Sequence, residues 1–232
     1  MTYIKFMSRQ STLAYEAVRK WILDGEFEPG QRLVEEDIAQ RVGVSRTTIR
    51  DCVRRLAADG LVRNEANRGT FVLQLGAAEV DEVFQLRAML EGHAAGLAAQ
   101  HGDSAYCDEL GAIAQEIDEL VGAPDVADPV FYGRFQSCNT RFHMTLLQAS
   151  GSARLQTMAK SLIELPLVTL KQHAWPGEVQ VRRSNAQHWE IIDALRARDP
   201  VLARLCIQSH ILAARPRVMV ASGDHTHTVA PL

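Results

Sequence analysis

Residues 29–72, PGQRLVEEDIAQRVGVSRTTIRDCVRRLAADGLVRNEANRGTFV, constrain the fold more tightly than any other part of the chain. Leu33, Ile38 and Ala39 form the apolar side of a helix predicted over residues 31–41. Val42-Gly43-Val44 then supplies a tight turn, because glycine takes a positive φ that other residues resist. Ser45 is placed to cap the next helix, its hydroxyl accepting from N–H groups that the first turn leaves unpaired. That helix sets Ile49, Val53 and Leu56 on one buried stripe, which leaves Arg46, Thr47, Thr48, Arg50, Arg54 and Arg55 for the other faces. A two-stranded wing follows, with Arg68-Gly69 at its tip, where a missing side chain permits close approach to a DNA backbone. An α-helix fits the major groove of DNA, and its N-terminal residues are the ones that reach base edges. The pattern is a winged helix-turn-helix.

The formal net charge of −3 would argue against a nucleic-acid partner if it were spread evenly. It is not. Residues 1–76 carry 12 Lys/Arg against 10 Asp/Glu, a balance of +2, and the remainder carries 13 against 18, a balance of −5. Contact with phosphate is short-ranged and screened, so the five arginines within residues 41–55 suffice locally. At 232 residues and 47% apolar, the chain can bury two modest cores. Cys52, Cys107, Cys138 and Cys206 show no paired spacing, which points to a reduced, cytoplasmic setting. No apolar run approaches membrane length, and the first ten residues lack the apolar core of a signal peptide, so no membrane partner is expected.

From Ala77 onward the periodicity is helical throughout. A first helix is predicted over residues 79–100 and a second, capped by Asp103, through Leu120. Asp128-Pro129 opens a third that Ser150-Gly151 closes. A fourth runs from Ser152 to about residue 173 and bends near Pro166. Trp175-Pro176-Gly177 is a break, followed by helices over 178–198 and 201–219. The expected fold is mostly α: a winged helix-turn-helix over residues 1–75, an all-helical antiparallel bundle over 78–221, and a loose tail over 222–232 that holds His225 and His227.

Three histidines fall on apolar stripes of this bundle. His143 shares a face with Asn139, Phe135, Leu146 and Leu147; His188 lies with Ile191, Ile192 and Leu195; His210 lies among Cys206, Ile207, Ala213 and Ala214. One such histidine is ordinarily a hydrogen-bonded core residue. Three of them, with an amide oxygen one turn from the first, form the kind of inward-facing donor set that bundles use to hold metals. Arg87 and Glu91 are spaced i,i+4, which suits either a surface ion pair or an arginine fork for a carboxylate.

The motif VSRTTIRDCVRRLAADGLV, the following NRGTFV and the upstream AVRKWILDGEFEPGQRLVEEDIA together resemble the winged helix-turn-helix of GntR-type transcriptional regulators over roughly residues 11–73. This chain has Thr48, Asp51 and Cys52 where many members have Pro, Glu and Ala, and its Thr-Thr is similar to the fatty-acid-responsive branch. VFQLRAMLEGHAAGLAA, NTRFH, HWEIIDALRARDPVLA and the later SHI resemble that branch's all-helical effector domain, the FCD domain, across roughly residues 78–214. Six helices rather than seven make it similar to the vanillate-regulator-like group.

The resemblance implies a ligand-responsive regulator, a repressor by expectation, acting as a homodimer on a pseudo-palindromic double-stranded operator and not as an enzyme. DNA contacts would fall to Ser45, Arg46, Thr47, Thr48, Arg50, Arg68 and Gly69. A divalent metal, zinc or nickel, would sit on Asn139, His143, His188 and His210 beside a small-carboxylate effector, with Arg87 near the pocket. Asn139 stands where the family usually has Asp, so the donor set carries no charge. Two outcomes follow: a weaker metal site completed by the effector carboxylate, or a metal-free pocket in which the histidines bind the effector. Two rival readings stay in view, a metal-dependent hydrolase with Glu190 or Glu91 as base and an architectural DNA-binding protein without effector.

Overall fold

A computed structural model describes residues 9–122, 129–170 and 178–221. Asp128, residues 171–177 with His173 and the Trp175-Pro176-Gly177 break, and the tail 222–232 lie outside the described residues. The chain divides into two compact units: one break falls between Leu75 and Gly76, and residues 167–170 group with the first unit.

In the first unit α1 (Arg9–Leu23) buries Ala14, Val18 and Ile22, one residue per turn on a single face. The next segment corrects the sequence expectation. Residues 31–34 are not helical: Arg32–Leu33 form a short strand, β1, and α2 spans Glu35–Val42. The reason lies in the neighbouring chain, because the backbone around Gln31 is claimed by Val72 on both sides. Gly30 N–H donates to Val72 O at 3.1 Å and Val72 N–H donates to Gln31 O at 2.9 Å. The helix starts where three acids, Glu35, Glu36 and Asp37, meet the positive end of its dipole. Gly43 ends it at φ 76°, its N–H returning to Ala39 O, a conformation that Cβ-bearing residues resist. Ser45 caps α3 (Arg46–Ala58) by accepting from Thr48 N at 3.2 Å, as the sequence predicts.

The wing is β2 (Val62–Glu65) and β3 (Gly69–Val72), and β1 pairs with β3 to make a three-stranded antiparallel sheet ordered β1-β3-β2 rather than a two-stranded one. Leu33, Ile38, Ile49, Cys52, Val53, Leu56, Leu61, Val62 and Val72 close over α1 as one core. Leu73 N–H still bonds Leu61 O, so only residues 74–76 are left to connect this sheet to the next helix.

The second unit is built from α4 (Ala77–His101), α5 (Ser104–Val121), α6 (Pro129–Ala149), α7 (Ala153–Leu170) as far as Pro166, α8 (Glu178–Arg196) and α9 (Pro200–Ala221). These six helices follow the expected periodicity, with Asp103 capping α5 through the Ala105 N–H and α7 running on past Pro166. Packed pairs include α4 with α9, α5 with α6 and α8, α8 with α9, and α6 with α4. The interior they enclose is largely aliphatic, from Leu110, Ile113 and Ile117 on α5 to Ile191 and Ile192 on α8, with Phe142 fully buried on α6. Burying that much apolar area is what stabilises the bundle. Polar groups inside it are few: Arg87, Glu91, His143, Asn185, His188 and His210 are among them.

Candidate functional site

Two sets of residues stand out, one in each unit. On the first, Ser45, Arg46, Thr47, Arg50, Arg68 and Gly69 are all exposed, and Thr48 is half-buried, its hydroxyl 2.8 Å from that of Ser45. Arg46, the first turn of α2, Gly69 and Thr70 line one recess, so the start of the recognition helix and the wing share a face. Arg46 and Arg50 are both paired with acids that the sequence reading leaves out: Arg46 with Glu36 at 2.9 Å and Arg50 with Glu35 at 2.9 Å. Exposed pairs of this kind are worth about 0–1 kcal/mol, weak enough for a phosphate or a base edge to displace them. At the wing, Arg68 reaches back to Glu65 at 2.5 Å, and Gly69 holds φ 110° with the Arg32 side chain lying across it. A Cβ there would meet Arg32 Nε at 3.0 Å, so Gly69 serves both the backbone angle and the close contact. Arg32 thereby joins the basic face, although the sequence reading of the motif assigns it no role.

The second set is the histidine cluster. His143 on α6, His188 on α8 and His210 on α9 are all buried, and their ligand atoms lie within 4.8 Å of one another. Their ring centroids are separated by 5.9 Å (143–188), 5.3 Å (143–210) and 4.6 Å (188–210). Phe142 stacks on His188 at 4.0 Å and limits its rotation. His188 Nε2 and His210 Nδ1 are buried and make no hydrogen bond among the described residues. Leaving two ring nitrogens unpaired in an apolar interior costs free energy, and a cation taking their lone pairs removes that cost. The cluster therefore has the donors, the proximity and the orphaned atoms that suit a divalent ion. Asn139 lies one turn before His143 on α6 and is half-buried.

His143 is fixed from behind. Its Nδ1 meets Glu91 Oε2 at 2.5 Å, and the other oxygen of Glu91 accepts from Arg87 Nε at 2.8 Å. Arg87 is 7% exposed and Glu91 0%, so the surface-pair reading of these two residues is wrong: α4 turns them inward because their stripe packs between α6 and α9. Burial by itself would raise the Glu91 carboxyl, but the Arg87 guanidinium and His143 outweigh it and hold the group down to about 2. A carboxylate engaged on both oxygens is not available as a general base, which removes Glu91 from the hydrolase reading.

Burial lowers His188 well below the ordinary imidazole value of 6.5, and its neighbours His210 and His143 lower it further. His210 falls to about 3 through burial, His143 and Arg87, with Glu91 opposing. Both rings are therefore neutral at pH 7, the form that binds metal. Between about 3 and 6.5 the unfolded chain binds protons at these positions that the folded chain refuses, so stability rises with pH across that window. It is complete above 6.5 and lost on acidification. For metal-free protein we expect the denaturation midpoint to fall as pH drops from 7 to 5, with a slope approaching ~1.4 kcal/mol per pH unit for each ring. Thermal melts of wild type and His210→Phe across that range check it; equal slopes would reject the assignment.

Comparison with known proteins follows the same division. Residues 10–72 match the family described as bacterial regulatory proteins, gntR family, and residues 82–213 match the FCD domain. An HTH-type transcriptional regulator in an unstable DNA locus of Streptomyces ambofaciens is 30% identical over 205 residues, covering 86% of this chain and 80% of that one. The HTH-type transcriptional repressor GlaR of Escherichia coli (strain K12) is 23% identical over 219 residues, covering 93% and 98%. A crystal structure of a GntR-type regulator from Rhodococcus sp. RHA1 superposes with a TM-score of 0.74 at 25% identity, covering 92% of this chain and 99% of the other. The fold and the paired sites define a DNA-binding transcriptional regulator. The chain belongs to the GntR family, in the group that carries an FCD domain, and that family consists of regulators rather than enzymes. Among the described residues no helix is long and apolar enough to cross a membrane.

Proposed function

We propose that this protein is a repressor that releases its operator when a small carboxylate enters the helical unit beside a divalent metal, zinc or nickel. The observation that carries the reading is the set of three buried imidazoles with two unpartnered nitrogens. His143, His188 and His210 would hold the ion, with the Asn139 carbonyl oxygen as a further donor from the turn before His143. None of these donors is charged, so a bound ion keeps its full +2 and supplies an electrostatic focus for an anion. Nε of Arg87 is spent on Glu91, which leaves its terminal nitrogens to fork a carboxylate.

On the DNA side, Arg46 and Arg50 read base edges or phosphates, with Ser45, Thr47 and Thr48 anchoring the helix start and Arg68-Gly69 meeting the backbone at the wing. One recognition helix reads too few base pairs for a unique site, so a homodimer on a pseudo-palindrome is the expected form. The sign of regulation follows GlaR, a relative named as a repressor. The connection of residues 74–76 is short, so a rearrangement in the helical unit has little slack in which to dissipate. A coupling of ~1–3 kcal/mol would shift operator affinity roughly 5–150-fold.

The test combines elemental analysis of purified protein with operator titrations, with and without candidate aromatic, sugar and hydroxy acids. Stoichiometric zinc or nickel, lost in His143→Ala, and weaker operator binding in the presence of one acid are expected. Identical curves with every acid that demonstrably binds would reject the coupling. Near-equal affinity for operator and bulk DNA, instead of the ~10³-fold or greater preference of a specific regulator, would favour the architectural reading.

A further inference from the structure

His188 leans on a buried amide that its own sequence context does not advertise. Asn185 lies one turn before it on α8 and is fully buried. Its Nδ2 donates to the Ala114 carbonyl at 2.9 Å and to Asp118 Oδ1 at 2.7 Å, both on α5. Only the NH2 end of an amide serves two such acceptors, so the way the group faces is settled by its partners. Its Oδ1 is then the atom turned to His188 Nδ1, 3.2 Å away, and an amide oxygen can only accept. The proton of the neutral ring must therefore sit on Nδ1, and Nε2, the buried atom without a partner, keeps its lone pair. Asp118 is itself held in place, its second oxygen accepting from Trp189 Nε1 at 2.9 Å.

We propose that Asn185, anchored to α5 through Ala114 and Asp118, is a positioning residue that locks His188 in the tautomer with a bare Nε2 and so sets how tightly the histidine cluster takes a divalent ion. The metal half of this statement rests on the proposed function above; the tautomer half does not. The chemistry is that of an outer-shell acceptor, which orients a ligating imidazole and raises its basicity. His143 has the same arrangement with a charged acceptor, Glu91, whereas His188 has a neutral one. Two of the three rings are thus fixed from different helices, Glu91 on α4 and Asn185 tied to α5, before any ion arrives. A buried asparagine that merely satisfies its own polar atoms would leave the ring indifferent to its loss.

Two readouts separate these roles. Long-range ¹H–¹⁵N correlation spectra of metal-free protein labelled in histidine report the tautomer of each ring, with His188→Gln giving the assignment. Zinc affinity comes from competition with a chromophoric chelator. Wild type is expected to show His188 protonated on Nδ1; Asn185→Leu moves the ring to a tautomer mixture and weakens zinc by about 10–100-fold, the usual loss on removing an outer-shell partner. Asn185→Asp alone would set a second carboxyl against Asp118, so the acceptor at Nδ1 is kept by a swap, Asn185→Asp with Asp118→Asn, in which the new amide at 118 donates in place of the lost Nδ2. This double variant retains both the tautomer and most of the affinity. An unchanged spectrum and unchanged affinity in Asn185→Leu would overturn the proposal, as would equal losses in the Leu variant and the swapped double variant. Should Asn185→Leu fail to fold, the swapped double variant decides: loss of the Nδ1–H tautomer in it refutes the lock and its retention supports it. If wild type takes up no zinc or nickel, the metal reading fails while the spectra still decide whether Asn185 sets the ring.

Discussion

Glu91→Gln is expected to destabilise metal-free protein by about 3–5 kcal/mol, the cost of stripping one partner from a buried ion pair. The change keeps the side chain's size and removes its charge, so the effect isolates electrostatics from packing. Arg87 would be left as a buried guanidinium facing a neutral amide, and His143 would lose its strongest acceptor. Urea denaturation at pH 7, followed by helical circular dichroism, measures the loss. Arg87→Met combined with Glu91→Leu should recover part of it, because replacing a whole buried pair by apolar groups is often close to neutral. A loss under ~1 kcal/mol for Glu91→Gln would mean that solvent reaches the pair and that α4 does not bury it as described.

The other large effect belongs to the DNA-binding face. Arg46→Ala and Arg50→Ala are each expected to weaken operator binding by about 1–3 kcal/mol, roughly 5–150-fold. Their removal also leaves Glu36 and Glu35 without partners at the same face, so the new balance repels DNA and the losses should sit toward the upper end. Fluorescence anisotropy with operator and with scrambled DNA over a range of salt separates the two kinds of contact. A base contact loses specificity, whereas a phosphate contact weakens both DNAs alike and lowers the salt slope by about one. Operator affinity unchanged by both substitutions would show that α3 is not the reading helix.

Much of this was visible in the residues alone, and the reason differs from place to place. Ser45, Gly43 and the Ile49–Val53–Leu56 stripe act within one or two helical turns, so their spacing carries their role. The three histidines were legible because each lies on the apolar stripe of its own helix, and three inward imidazoles in one bundle have few places to go. The helical reading of residues 31–34 failed because their hydrogen-bond partner, Val72, lies about forty residues away, and no local pattern announces a strand two residues long. Arg87 and Glu91 were ambiguous for a related cause: i,i+4 spacing is the same on an exposed and a buried face, and only the packing of α4 distinguishes them. Asn185 had a faint signal, a polar residue one turn from a histidine on an otherwise apolar stripe, but nothing in that spacing names Ala114 and Asp118 as its partners.

The amino-acid order by itself determined the architecture of this regulator, a winged helix-turn-helix ahead of six helices, and the residue types at both sites, because helix caps, turns and apolar periodicity are short-range properties. Only the tertiary structure decided which atoms meet. It carried His143, His188 and His210 from three helices into one buried cluster, put Glu91 and Asn185 behind two of the rings, and set Glu35 and Glu36 against Arg50 and Arg46. Several of these contacts join distant residues, 15 positions apart for Arg50 and Glu35, 52 for His143 and Glu91 and 71 for Asn185 and Ala114, and contacts at that range are chosen by how helices pack against one another, not by what stands beside a residue in the chain.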